Sequence, residues 1–217
     1  YISISPINLV LEHIIGSSPI TYTDVTPIAQ LFNEFVAYAV NADSPLKSGR
    51  DIVERLKKDP GAVSFAVAAS LGGANHISTV IAMKAAGVDV KKLKFVVFDA
   101  GVKGQTAVMG GHVDVAVVPL SGAVAQIQAG RLRVLAVTSA RRQGGVFAAV
   151  PTWKEQGVDM VFSSWRGVIG PKGMSAPQIA YWEGVLTRVA QTDEWKQDME
   201  NNFWESNFMN SADSRRY

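Results

Sequence analysis

The stretch Val63-Ser64-Phe65-Ala66-Val67-Ala68-Ala69-Ser70-Leu71-Gly72-Gly73-Ala74-Asn75-His76 decides the fold. Val63–Ala68 reads as a strand, and the small residues and glycine pair after it form a tight loop. Beyond the loop, Ile77, Val80, Ile81 and Lys84 fall on successive helical turns, and Gly87 supplies the stop. A strand that feeds a helix through a short small-residue loop is half of a βαβ unit, which requires a sheet with parallel strands.

The same rhythm extends outward in both directions. Upstream, Phe35–Val40 is a strand, Asn41-Ala42-Asp43-Ser44-Pro45 a turn cluster, and Ser48 a cap, with Asp51 three residues on imitating a capping box. Ile52, Val53 and Leu56 then recur at helical spacing until Asp59-Pro60-Gly61 ends the helix. Downstream, the expected strands are Phe95–Phe98, Val113–Val118 and Arg133–Thr138. Between them lie a short helix ending at Thr106–Met109 and another over Ser121–Ala129. The fold class is therefore α/β. The pattern changes after Gly157: Phe162–Gly170 reads as extended, and Gln178–Ala190 and Asp193–Asn202 read as helices. Near the start, Thr21–Pro27 reads as a polar turn, and Ile28–Phe32 is too short to assign.

Composition removes several classes of function. The 217 residues contain no Cys, which excludes a disulfide scaffold, a thiol nucleophile and a thiolate zinc site. Net charge is +2, with the basic residues scattered, so no nucleic-acid footprint is expected. No apolar run reaches the roughly 18 residues that a membrane helix needs. His13, His76 and His112 lack metal-ligand spacing, no cofactor motif appears, and no GxSxG elbow accompanies Ser70. A non-enzymatic binding protein is expected.

The candidate binding residues lie where strands hand over to helices. Ser70, Gly72, Gly73, Ala74, Asn75 and His76 leave backbone N–H groups unshielded at a helix start, where the helix dipole also favours an anion. A tight turn alone would use the same glycines. The absence of a phosphate-loop Lys and of GxGxxG argues against a nucleotide and leaves a carboxylate open. Asp99 can accept from a ligand or cap the next helix, and Ser121 can cap the one after. Such loops converge on one crevice in open α/β sheets. Trp165, in the extended segment between the two regions, is the remaining candidate.

Several stretches, taken in order, resemble one family. They are Asp24-Val25-Thr26-Pro27-Ile28-Ala29, Asn41-Ala42-Asp43-Ser44-Pro45, Gly110-Gly111-His112-Val113-Asp114, Ala129-Gly130-Arg131-Leu132-Arg133 through Ala140, Val150-Pro151-Thr152, and Ser164-Trp165 followed by Pro171. They resemble the extracytoplasmic solute receptors of tripartite tricarboxylate transporters, the Bug receptors. The resemblance implies a type II periplasmic-binding-protein fold, two α/β lobes joined by two crossing strands. Residues 41–163 would form the second lobe, with 1–40 and 164–217 parts of an incomplete first lobe. It implies a periplasmic receptor that holds a small carboxylate between the lobes and delivers it to membrane subunits. Because the chain opens at Tyr1 in mid-pattern, an export signal is expected upstream. Gly72 and His76 match the family pattern. The family's common Ser is here Gly73, and its Tyr-Lys-Gly-Ser stretch is here Phe98-Asp99-Ala100-Gly101. The effector region of a LysR-type regulator shares the fold and is the alternative.

Overall fold

Glu34–Phe35 and Ser163–Ser164 are the two places where a computed structural model, which describes residues 1–217, divides into compact units. One unit, the end unit, comprises Tyr1–Glu34 and Ser164–Tyr217; the other, the middle unit, is Phe35–Ser163. The chain enters through β1 (Ser3–Pro6), α1 (Asn8–Ile14) and β2 (Val25–Glu34). It then builds the middle unit from β3 (Val36–Asn41), α2 (Gly49–Lys58), β4 (Ser64–Ala68), α3 (Ala74–Ala85), β5 (Lys94–Phe98) and α4 (Gly101–Met109). The same unit ends with β6 (Val115–Pro119), α5 (Leu120–Gln128) and β7 (Leu132–Val137). It returns through β8 (Ser164–Pro171), α6 (Ala176–Gln191), α7 (Asp193–Asn201), β9 (Glu205–Met209) and α8 (Ser211–Arg216).

The middle unit carries a five-stranded sheet in the order β5-β4-β6-β3-β7. β4 runs parallel to both β5 and β6, as the strand–loop–helix rhythm requires. The sheet is nevertheless mixed rather than wholly parallel, because β3 is antiparallel to β6 and to β7. β3 arrives directly from β2 and not over a crossover helix, so nothing forces it to run parallel. Residues 35–40, grouped with the two ends on sequence, therefore lie inside the middle unit's sheet. Tyr38, Phe65, Ile52, Leu56, Met83 and Trp153 are fully buried in one continuous core. Tyr38 and Trp153 meet edge to face, with ring centroids 4.9 Å apart. The capping box at Ser48 and Asp51 is present at the start of α2.

The end unit is an antiparallel sheet in the order β1-β8-β2-β9. The sequence reading of Thr21–Pro27 as a turn holds only to Asp24, since β2 begins at Val25 and runs ten residues. Pro27 obscured this strand because it has no N–H to give a central ladder. The structure accommodates it beside a register shift between Pro27 and Ala29. Ile28, Leu31, Phe32, Val168 and Met199 form the core, with Trp182, Leu186, Trp195 and Trp204 packed against it. Phe32 stacks on Trp204 at 4.1 Å.

Candidate functional site

Because β4, β5 and β6 are parallel neighbours, their carboxyl ends lie along one edge of the sheet, and each feeds a helix. That edge brings together the Ser70–His76 loop, Asp99 and Ser121. Trp165 belongs to the other unit, on β8.

The loop after β4 is held in an unusual backbone geometry. Ala69 sits at φ +69°, a left-handed conformation that an L side chain rarely adopts, and its N–H donates to Phe98 O at 2.8 Å. Gly72 follows at φ +88°, where only glycine is free of strain. Gly73 is the N-cap of α3 and offers no side chain to satisfy the first turn. The amides of Ala74, Asn75 and His76, in that first turn, consequently have no partner within the helix. Gly72 N–H donates instead to His76 Nδ1 at 3.1 Å, which leaves the proton of the neutral ring on Nε2. The imidazole stands edge-on to Phe95 at 4.4 Å, and burial holds its pKa below the usual histidine value. A neutral donor and several free amides are a suitable environment for an anion's oxygens.

Residues absent from the sequence-based candidates support this loop from below. Ser78 Oγ and Thr79 Oγ1 each donate to Asn75 O at 2.9 Å, and both are fully buried. Tyr38 OH donates to Ser78 Oγ at 3.2 Å, so a core strand tethers the first turn of α3. Burial pushes the Tyr38 phenol up to about 12, so it remains a neutral donor. The only sequence signal was a tyrosine within the otherwise apolar run Phe35–Val40.

Two local expectations are corrected. Asp99 does not cap α4: Ala100 holds that position, and the Asp99 carboxylate instead pairs with Lys103 one turn later at 2.6 Å. Ser121 is not a cap either, because α5 starts at Leu120 with Pro119 before it. Gln105, midway along α4, donates to Gly122 O at 3.1 Å and so ties α4 to the first turn of α5. Gly104 lets α4 lie close to the sheet, since a Cβ there would meet Ala66 Cβ and Phe98 at 3.3 Å. Trp165 lines a cavity of about 430 Å³ within the end unit, together with Pro27, Ala29, Gln30 and Ile169.

A family model described as the tripartite tricarboxylate transporter family receptor matches residues 9–217. The chain belongs to this family. A curated UPF0065 protein from Cupriavidus necator is 24% identical over 188 residues, covering 87% of this chain and 56% of the relative. The chain thus spans little more than half of that relative's length. The solved structure of R. palustris Rpa4515 with adipate superposes with a TM-score of 0.83 at 21% identity, covering 98% of this chain and 71% of that one. The periplasmic binding protein BugD gives 0.78 at 22% identity, covering 94% and 68%. The fold is accordingly the two-lobed α/β fold of periplasmic binding proteins that the resemblance implied. Receptors of this family are solute-binding proteins of the periplasm, and no helix of this chain is long and apolar enough to cross a membrane.

Proposed function

We propose that this chain is the ligand-binding part of a periplasmic solute receptor. It takes a small carboxylate and passes it to the membrane subunits of a tripartite tricarboxylate-type transporter, without chemical conversion. The observation that carries this reading is the start of α3, where a side-chain-free cap exposes first-turn amides beside the His76 imidazole. The family membership and the adipate held by the R. palustris protein support a carboxylate as the ligand class. Within Ser70–His76 the first-turn amides of Ala74, Asn75 and His76 provide the main-chain donors, with Asp99 and Ser121 after the neighbouring strands.

Magnitudes limit what the α3 loop can do alone. Two or three charge-assisted amide bonds give roughly 5–8 kcal/mol before ordering costs. Micromolar affinity needs about 8 kcal/mol net, after an association cost of at least ~4 kcal/mol. Contacts from a second lobe are therefore required. Calorimetric titration of the protein against mono-, di- and tricarboxylates tests the reading. Saturable binding of at least one acid is expected, and silence across the panel contradicts it.

A further inference from the structure

The end unit's sheet is packed on one face and hollow on the other. On the packed face, Ala29 and its ladder partner Val168 lie in the core that α6 and α7 cover. The pairs on either side, Pro27 with Ile169 and Gln30 with Gly167, belong to the opposite face and line the cavity of about 430 Å³. The helix α1 also borders that cavity. It carries Leu9, Val10, Leu11 and Ile14, yet none of its residues is buried, so it roofs the space without filling it.

Gln30 is the polar exception in this apolar chamber. It is 4% exposed, and its Nε2 is sealed from solvent without a hydrogen-bond partner. An unpaired buried donor is a cost that folded chains seldom retain. Gly167 opposite it projects no side chain that could answer the amide. The Gln30 main-chain N–H donates to Ser214 Oγ at 2.9 Å, which sets the next residue, Arg215, at the same end of the cavity. Arg216 is engaged by Asp213, whereas Arg215 is exposed and has no carboxylate partner. No acidic side chain lines the cavity.

We propose that this cavity is a second binding site, for a medium-chain aliphatic monocarboxylate. The hydrocarbon chain lies against Val10, Leu11, Trp165 and Ile169. One carboxylate oxygen accepts from Gln30 Nε2, and the Arg215 guanidinium supplies the countercharge. A mostly apolar chamber of this size with a few polar groups at one end is the usual form of a small-molecule site. A short dicarboxylate does not fit, because its second charge would meet the apolar wall with no partner. The site lies wholly within the end unit and shares no residue with the α3 loop.

Calorimetric titration of the full chain with octanoate, alone and in excess malate, tests the site. Saturable octanoate binding is expected, with the same affinity when malate is present. Gln30→Leu, close in size to the residue replaced, should weaken it about tenfold. Arg215→Met should weaken it about threefold and remove its dependence on salt. Val10→Trp, which fills the cavity, should abolish it, and Lys103→Met in the middle unit should leave it unchanged. No saturable octanoate binding, displacement by malate, or wild-type affinity in Gln30→Leu overturns the proposal. Should Gln30→Leu fail to fold, Arg215→Met at its exposed position decides, and an unchanged affinity there overturns the site.

Discussion

The middle unit hides Trp153, Tyr38, Phe65 and Met83 completely, whereas the end unit's longest helix, the 16-residue α6, has no fully buried residue. The cause is the number of faces that each sheet covers. In the middle unit, helices pack on a five-stranded sheet whose inner strands β4, β6 and β3 are buried over most of their length, so whole side chains leave water. In the end unit, Trp182, Leu186 and Trp195 lean on the sheet only partly covered, and Ile4, Ile14, Ile15 and Tyr22 stay exposed. The proposed anion loop therefore stands on the better-packed half of the molecule, which suits a site that relies on fixed amides rather than on mobile side chains.

Substitutions can break or sharpen this contrast. Trp153→Ala should cost about 3–5 kcal/mol in denaturant unfolding, because it empties a fully buried volume against Tyr38. Leu186→Ala in the end unit should cost only about 1 kcal/mol, since a half-covered leucine gives up part of the full transfer energy. Equal losses would erase the distinction between the units. The pH dependence is smaller. Burial lowers the folded-state pKa of His76 below its unfolded value, so the unfolded chain binds the extra proton first. The His76 contribution should thus be complete above the unfolded histidine value and decline as pH falls from there toward the folded pKa. Comparing melting temperatures of the wild type and His76→Phe across that window reads it, and a contribution that grows on acidification contradicts it. Smallest of all is Lys103→Met, which removes an exposed pair with Asp99 and should change stability by less than about 0.5 kcal/mol.

The sequence exposed the middle unit more clearly than the end unit for the same reason. Residues 63–87 show a strand followed by a helix because β4 is buried, although the face that α3 buries is Ser78, Thr79, Ala82 and Met83 and not the Ile77, Val80 and Ile81 spacing that marked the helix. β2 was hidden because Pro27, Gln30 and Asn33 interrupt its pattern, and bulges in the ladder rather than uniform alternation accommodate it. The antiparallel direction of β3 leaves no local mark, since strand direction depends on what precedes the strand and not on its own residues. At the site, the glycine pair was visible as a cap without a side chain. The link from Tyr38 through Ser78 to Asn75 joins residues far apart in sequence, and no local pattern reports it. The ion pair of Asp99 with Lys103 leaves no separate mark in the sequence, because a pair to the fourth residue on, a capping bond and a ligand contact all draw on the same residue type.

The most direct test follows backbone amide resonances while malate or adipate is added to the chain, since nuclear magnetic resonance detects even weak binding. The account predicts saturable shifts concentrated at Leu71, Ala74, Asn75 and His76. Shifts that saturate elsewhere while these amides stay fixed would contradict it.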